Sequence, residues 1–163
     1  MASCKVLSFR LMSFFSFADF PKAQRDFSVA IVVSKFNEQI TEPLLKLAFK
    51  TLKKCGLASK NIFVQEVPGA FEIPFAVKVL QASGNFDGIL TLGCIVRGET
   101  PHFEFVAREC ARGVQDRNLF GAIPVIFGVL TCNDFAQGES RVRKGEDFAK
   151  ALVLQMNFVN EIS

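Results

Sequence analysis

At 163 residues, 50% hydrophobic and 21% charged, the chain is long enough for one full hydrophobic core and too apolar for intrinsic disorder. A net charge of +3 comes from scattered basic residues, densest at Arg141, Arg143 and Lys144; without interleaved aromatics this argues against nucleic acid and suits a small anionic substrate. Five cysteines without a C-x-x-C pair, a lone histidine and no apolar run of ~18 residues exclude a zinc site and a membrane helix, and read as reduced thiols of a cytoplasmic protein.

Met1 to Pro21 is rich in Phe and Ser, carries Lys5 and Arg10, and has no acid before Asp19. That composition suits a transit segment, or a terminal arm or strand that pairs with a neighbour. Residues 1–27 are accordingly set apart from a domain spanning 28–163.

The repeating pattern begins with SVAIVV at Ser28–Val33, a continuous β-branched run expected of a strand covered on both faces. Ser34–Asn37 is a polar turn carrying one exposed aromatic, Phe36. Thr41 is placed to cap a helix with Pro43 in its first turn, and Leu44, Leu45, Ala48, Leu52 and Cys55 follow at helical spacing before Gly56 stops it. A second strand covers Asn61–Val67 and breaks at Pro68-Gly69. The next helix is expected from about Phe71 to Ser83. Gly88–Cys94 is a third strand, after which Thr100 caps a helix with Pro101 at its first position. Phe103, Val106, Ala107, Cys110 and Val114 give that helix one apolar face. Ile123–Leu130 is the fourth strand. A short helix near Phe135–Arg141 and a last one from about Glu146 to Ile162 complete the chain. Alternating strands and helices predict a parallel sheet with helices on both faces.

In such a sheet the strand C-termini share one edge, where ligands bind. The loops there bring Phe36, Phe71, Glu72, Arg97, Thr100 and His102 toward one another. Gly98-Glu99-Thr100 precedes a helix, so its N–H groups are open to a phosphate, although an ordinary capped helix start explains the same residues. His102 lies where the helix dipole disfavours its protonated form, leaving it able to accept a proton; a plain surface histidine is the alternative. Glu72 reads either as a first-turn carboxylate or as an acceptor for substrate hydroxyls. Phe36 and Phe71 read as core residues or as an aromatic wall, with Phe36 the less suited to burial among Ser34, Lys35 and Asn37.

The chain resembles the lumazine synthase family of riboflavin biosynthesis. The resemblance rests on VPGAFEIP at Val67–Pro74, LGCIVRGETPHFEFVA at Leu92–Ala107 and IPVIFGVLT at Ile123–Thr131, with KFN at Lys35–Asn37 in support. It implies a flavodoxin-like three-layer αβα sandwich on a four-stranded parallel sheet, with an N-terminal strand often added to a neighbour's sheet. It also implies assembly into pentamers or a shell of twelve pentamers, a partnership with riboflavin synthase, and no metal or organic cofactor. The implied reaction condenses 5-amino-6-(D-ribitylamino)uracil with 3,4-dihydroxy-2-butanone 4-phosphate and releases phosphate and water.

Carried over by motif, Phe36 stacks on the uracil ring, and Ala70, Phe71 and Glu72 line the ribityl side. Cys94, Ile95 and Val96 continue the pyrimidine pocket. Glu99 and Thr100 hold the phosphate by their amides, and His102 transfers protons. Phe127 and Arg141 are expected from the neighbouring subunit, Arg141 pairing with the phosphate. Two departures stand out: Glu99 replaces a small residue, and the segment after Arg141 is about four residues short, leaving Lys144 and Lys150 as rivals for the family's lysine. A non-catalytic lumazine- or flavin-binding shell protein of the same fold is the competing expectation. A flavodoxin-type electron carrier would need a Ser/Thr-rich phosphate loop after the first strand, which the sequence lacks.

Overall fold

A computed structural model describes residues 19–163. The expectations for the N-terminal arm over residues 1–27, as transit segment or shared strand, fall largely on residues 1–18, which lie outside the described span. The four strands are β1 (Val29–Ser34), β2 (Ile62–Val67), β3 (Gly88–Val96) and β4 (Val125–Cys132). All pair in parallel in the order β2-β1-β3-β4. The helices are α1 (Glu38–Lys54), α2 (Ile73–Ser83), α3 (His102–Phe120), α4 (Phe135–Ser140) and α5 (Lys144–Ile162).

The β-branched run of β1 and the apolar run of β3 occupy the two central positions, and every residue of β1 is buried. Strand periodicity divides the core into two. Val29, Ile31, Val33, Leu90, Leu92 and Cys94 face α1 and α5, whereas Ala30, Val32, Ile89 and Ile95 face α2 and α3. This is the parallel sheet with helices on both faces that the pattern predicts, and the flavodoxin-like three-layer sandwich that the resemblance implies. The helix after β1 turns to one face and the helix after β3 to the other, so a crevice opens between the ends of these adjacent strands.

Several boundaries differ from expectation. Thr41 is not a cap; it is buried within α1, which starts after Asn37, the one non-glycine residue with positive φ (60°) among those described. Asparagine tolerates this left-handed conformation, so the polar turn flows directly into the helix. Residues Ala70–Glu72 form a 3₁₀ turn, and α2 proper begins at Ile73. Thr100 provides no side-chain cap for α3; Pro101 precedes the first helical residue, His102. Strand β3 runs two residues further than predicted, because Ile95 and Val96 still pair with β4. Helix α5 starts at Lys144, two residues before its predicted start at Glu146.

The residues leading into β1 are tied down. Asn157 Nδ2 donates to the Lys22 carbonyl at 2.9 Å, the Ala23 N–H donates to Cys55 O at 2.8 Å, and Asp87 accepts from the Ser28 N–H at 2.8 Å. Phe27 is 1% exposed and belongs to the core.

Candidate active site

A cleft of about 390 Å³ opens at the C-terminal ends of β1 and β3. Phe36, Ala70, Phe71, Glu72, Cys94, Ile95, Val96, Thr100 and His102 all line it, so most of the predicted site residues are brought together. Gly69, Gly98, Phe103 and Val106 line it as well. Helical periodicity assigns Phe103 and Val106 to the core; in the fold, one face of α3 serves both the core and the cleft floor.

The first wall is the β1–α1 turn. Its path is fixed by backbone bonds to the neighbouring loop: the Lys35 N–H donates to Val67 O at 2.8 Å and the Phe36 N–H to Pro68 O at 3.0 Å. Phe36 is thereby held 70% exposed, with Phe71 59% exposed on the same cleft. Two large rings left in water on one concavity are free to stack against a flat partner. Asn37 is not among the predicted site residues, yet its side chain donates to the Cys94 carbonyl at 2.9 Å and joins this turn to β3. The positive φ tolerated by asparagine is the available signal.

The second wall comes from the 3₁₀ turn after β2. Glu72 Oε2 accepts from the Gly69 N–H at 2.8 Å, which fixes the carboxylate at the rim. Ala70 is buried beneath it, and Ile95 and Cys94 form the floor. Burial pushes the Cys94 thiol up to about 12, with the adjacent Cys132 adding to the effect. The thiol is therefore neutral near pH 7 and acts as a wall rather than as a nucleophile.

The third wall is the β3–α3 loop. Gly98, Glu99, Thr100 and His102 are exposed at the start of a 19-residue helix, where N–H groups and the helix dipole together favour an anion. Glu99 is exposed but does not line the cleft, unlike Gly98 and Thr100 on either side.

Within one chain, Phe127 and Arg141 do not line the cleft. Phe127 lies on edge strand β4, 37% exposed. Arg141 follows α4, donates to Gln137 O at 3.1 Å, and borders a separate depression with Ser140, Arg143 and Lys144. The rival lysines are placed differently. Lys150 is 1% exposed, with its Nζ 2.7 Å from Glu146 and 4.2 Å from the Phe20 ring. Lys144 is on the surface beside Arg141, 3.0 Å from Asp147.

No described helix is long and apolar enough to cross a membrane. The family described as 6,7-dimethyl-8-ribityllumazine synthase matches residues 26–160. A 6,7-dimethyl-8-ribityllumazine synthase of Phocaeicola vulgatus is 39% identical over 156 residues, covering 93% of this chain and 92% of that protein. Another, from Parabacteroides distasonis, is 38% identical over 156 residues, covering 93% and 97%.

Proposed function

Since the chain belongs to the 6,7-dimethyl-8-ribityllumazine synthase family, we propose that it condenses 5-amino-6-(D-ribitylamino)uracil with 3,4-dihydroxy-2-butanone 4-phosphate, and that the cleft described above is where it does so. One observation supports this reading above the rest. Exposed aromatic rings, a fixed carboxylate and an imidazole at a helix start share a single concavity.

The proposed division of labour follows from chemistry. The uracil ring stacks on Phe36, and the ribityl hydroxyls donate to Glu72 beside Ala70 and Phe71. Backbone groups of Cys94, Ile95 and Val96 read the edge of the pyrimidine. Amides of the Glu99–Thr100 segment take the phosphate, with the Glu99 carboxylate kept out of the cleft. The uracil amine attacks the ketone and water leaves to give an imine. Phosphate is then eliminated, and the ribitylamino nitrogen closes the second ring with loss of water. His102 moves the protons these steps require; an imidazole at the edge of the same cleft can accept one and return it.

The assembly completes the site in this reading. Phe127 and Arg141 belong to the cleft of an adjacent copy in a pentamer, Phe127 covering the ring and Arg141 pairing with the phosphate. Lys144, rather than the buried Lys150, accompanies Arg141. The reaction runs in the cytoplasm.

The test is direct. Purified protein given both substrates is expected to produce a new near-ultraviolet absorbance and one phosphate per product. The chain has no Trp and no Tyr, so its own absorbance there is small. Tight lumazine or flavin binding without turnover would overturn the catalytic reading in favour of a binding or shell protein.

A further inference from the structure

We infer that Arg97 is a positioning residue that sets the shape of the phosphate loop, a role that rests on the function proposed above. The sequence places Arg97 at the functional edge, but its side chain does not line the cleft. It reaches around the root of the loop instead. Its Nη1 is 2.6 Å from Glu104 Oε1, in the first turn of α3. Its Nε donates to Asn133 Oδ1 at 3.2 Å, in the loop after β4. The guanidinium carbon lies 4.4 Å from the centroid of the Phe103 ring, and the Arg97 N–H donates to Cys132 O at 2.9 Å.

These interactions close a small ring. Arg97 is the last residue before the loop, and Phe103 and Glu104 follow it, so one guanidinium clasps both ends of Gly98–His102. The loop has little else to shape it. Gly98, Glu99 and Thr100 are exposed, and space around Gly98 is open. Binding a phosphate through amides demands that several N–H groups converge, and a loop defined only by its ends converges only if the ends are fixed. Asn133 extends the clasp, because its N–H donates to Gln137 Oε1 at 3.0 Å and Gln137 O accepts from Arg141. A lysine cannot replace this arrangement: a point charge would pair with Glu104 but could not stack on Phe103 and donate sideways at once.

The experiment uses the intact assembled chain and varies each substrate separately. Because it removes an exposed ion pair with Glu104 and the stacking of the guanidinium on Phe103, Arg97→Gln is expected to raise KM for the butanone phosphate about five- to tenfold. KM for the ribitylaminouracil, which is held on the Phe36 and Glu72 side, is expected to stay unchanged. Glu104→Gln should show the same split, and the double variant should be no worse than the more affected single one. Calorimetric titration with inorganic phosphate reads the same weakening without turnover. A wild-type chain that is inactive but binds phosphate more tightly than Arg97→Gln by calorimetry would overturn the proposed reaction and leave the positioning role intact. Arg97→Lys, which keeps the charge, serves if Arg97→Gln fails to fold, and should recover part of the phosphate affinity. Equal rises in both KM values, additive effects in the double variant, or unchanged phosphate binding would each overturn the inference.

Discussion

The Asn37 side chain donates to the Cys94 carbonyl at 2.9 Å, bridging the turn that carries Phe36 to the strand that forms the cleft floor. Asn37 also adopts positive φ, so it has two separable duties. Asn37→Gly keeps the backbone and loses the bond, and should cost about 0.5–1.5 kcal/mol. Asn37→Ala loses both, for about 1–3 kcal/mol in total. Urea unfolding distinguishes them, and both should raise KM for the ribitylaminouracil. Equal stability of the two variants would contradict the backbone duty.

His102 opens α3 and faces the cleft. If it transfers protons, His102→Ala lowers kcat by about 10²–10⁴-fold. The proposed division of the site between copies sharpens the test. His102→Ala and Arg141→Ala proteins, each inactive alone, should regain part of their activity when unfolded and reassembled together. Mixed assemblies that stay inactive would place both residues in one chain's site.

Buried thiols give the fold an alkaline limit. Burial raises Cys55 to about 11 and Cys110 to about 12, and Cys94 also reaches about 12. In the unfolded chain these groups ionise near their ordinary value of 9.0, so above that pH the unfolded state binds fewer protons than the folded one. Their contribution is therefore complete below about pH 9 and is lost as pH climbs toward 11–12, by at most about 1.4 kcal/mol per pH unit for each thiol. Urea unfolding at about pH 8 and pH 10 should show the decline, and Cys110→Ala should reduce it. A stability that stays level over that interval would refute the prediction.

Helices α1 and α5 cross where α5 has Gly145. A Cβ added there would lie 2.6 Å from the Leu44 carbonyl oxygen and 3.4 Å from the Ala48 nitrogen, both backbone atoms that cannot rotate away. Gly145→Ala should destabilise the protein by about 1–2 kcal/mol, overpacking outweighing the gain in helix propensity. Denaturant unfolding measures this, and a neutral or stabilising result would show that the helices separate freely.

Much of the molecule is legible from residue order alone. The apolar runs of β1 and β3 specify central strands, since only a strand buried on both faces tolerates such continuity. Gly84 marks the end of α2, where it adopts φ 69°. The polar surroundings of Phe36 mark its exposure, and the order of strands and helices places Phe71, Glu72, Thr100 and His102 at one edge. Periodicity is less informative where a residue has two neighbours to satisfy. It gives Phe103 and Val106 to the core, while the folded helix offers part of that face to the cleft. The Asn37 bond to Cys94 joins residues 57 apart, and no local pattern encodes it.

Local sequence therefore determined the strands, the helices and the set of chemical groups at the sheet's edge, because periodicity and turn chemistry act over a few residues. Tertiary structure alone decided how those groups are held. Arg97, which the sequence offers to the cleft, turns to Glu104, Asn133 and Phe103, and Lys150 is drawn inward to Glu146 while Lys144 stays beside Arg141. The physical reason is that a long charged side chain goes wherever its counter-charge and an aromatic face coincide, and that coincidence exists only after distant segments have packed.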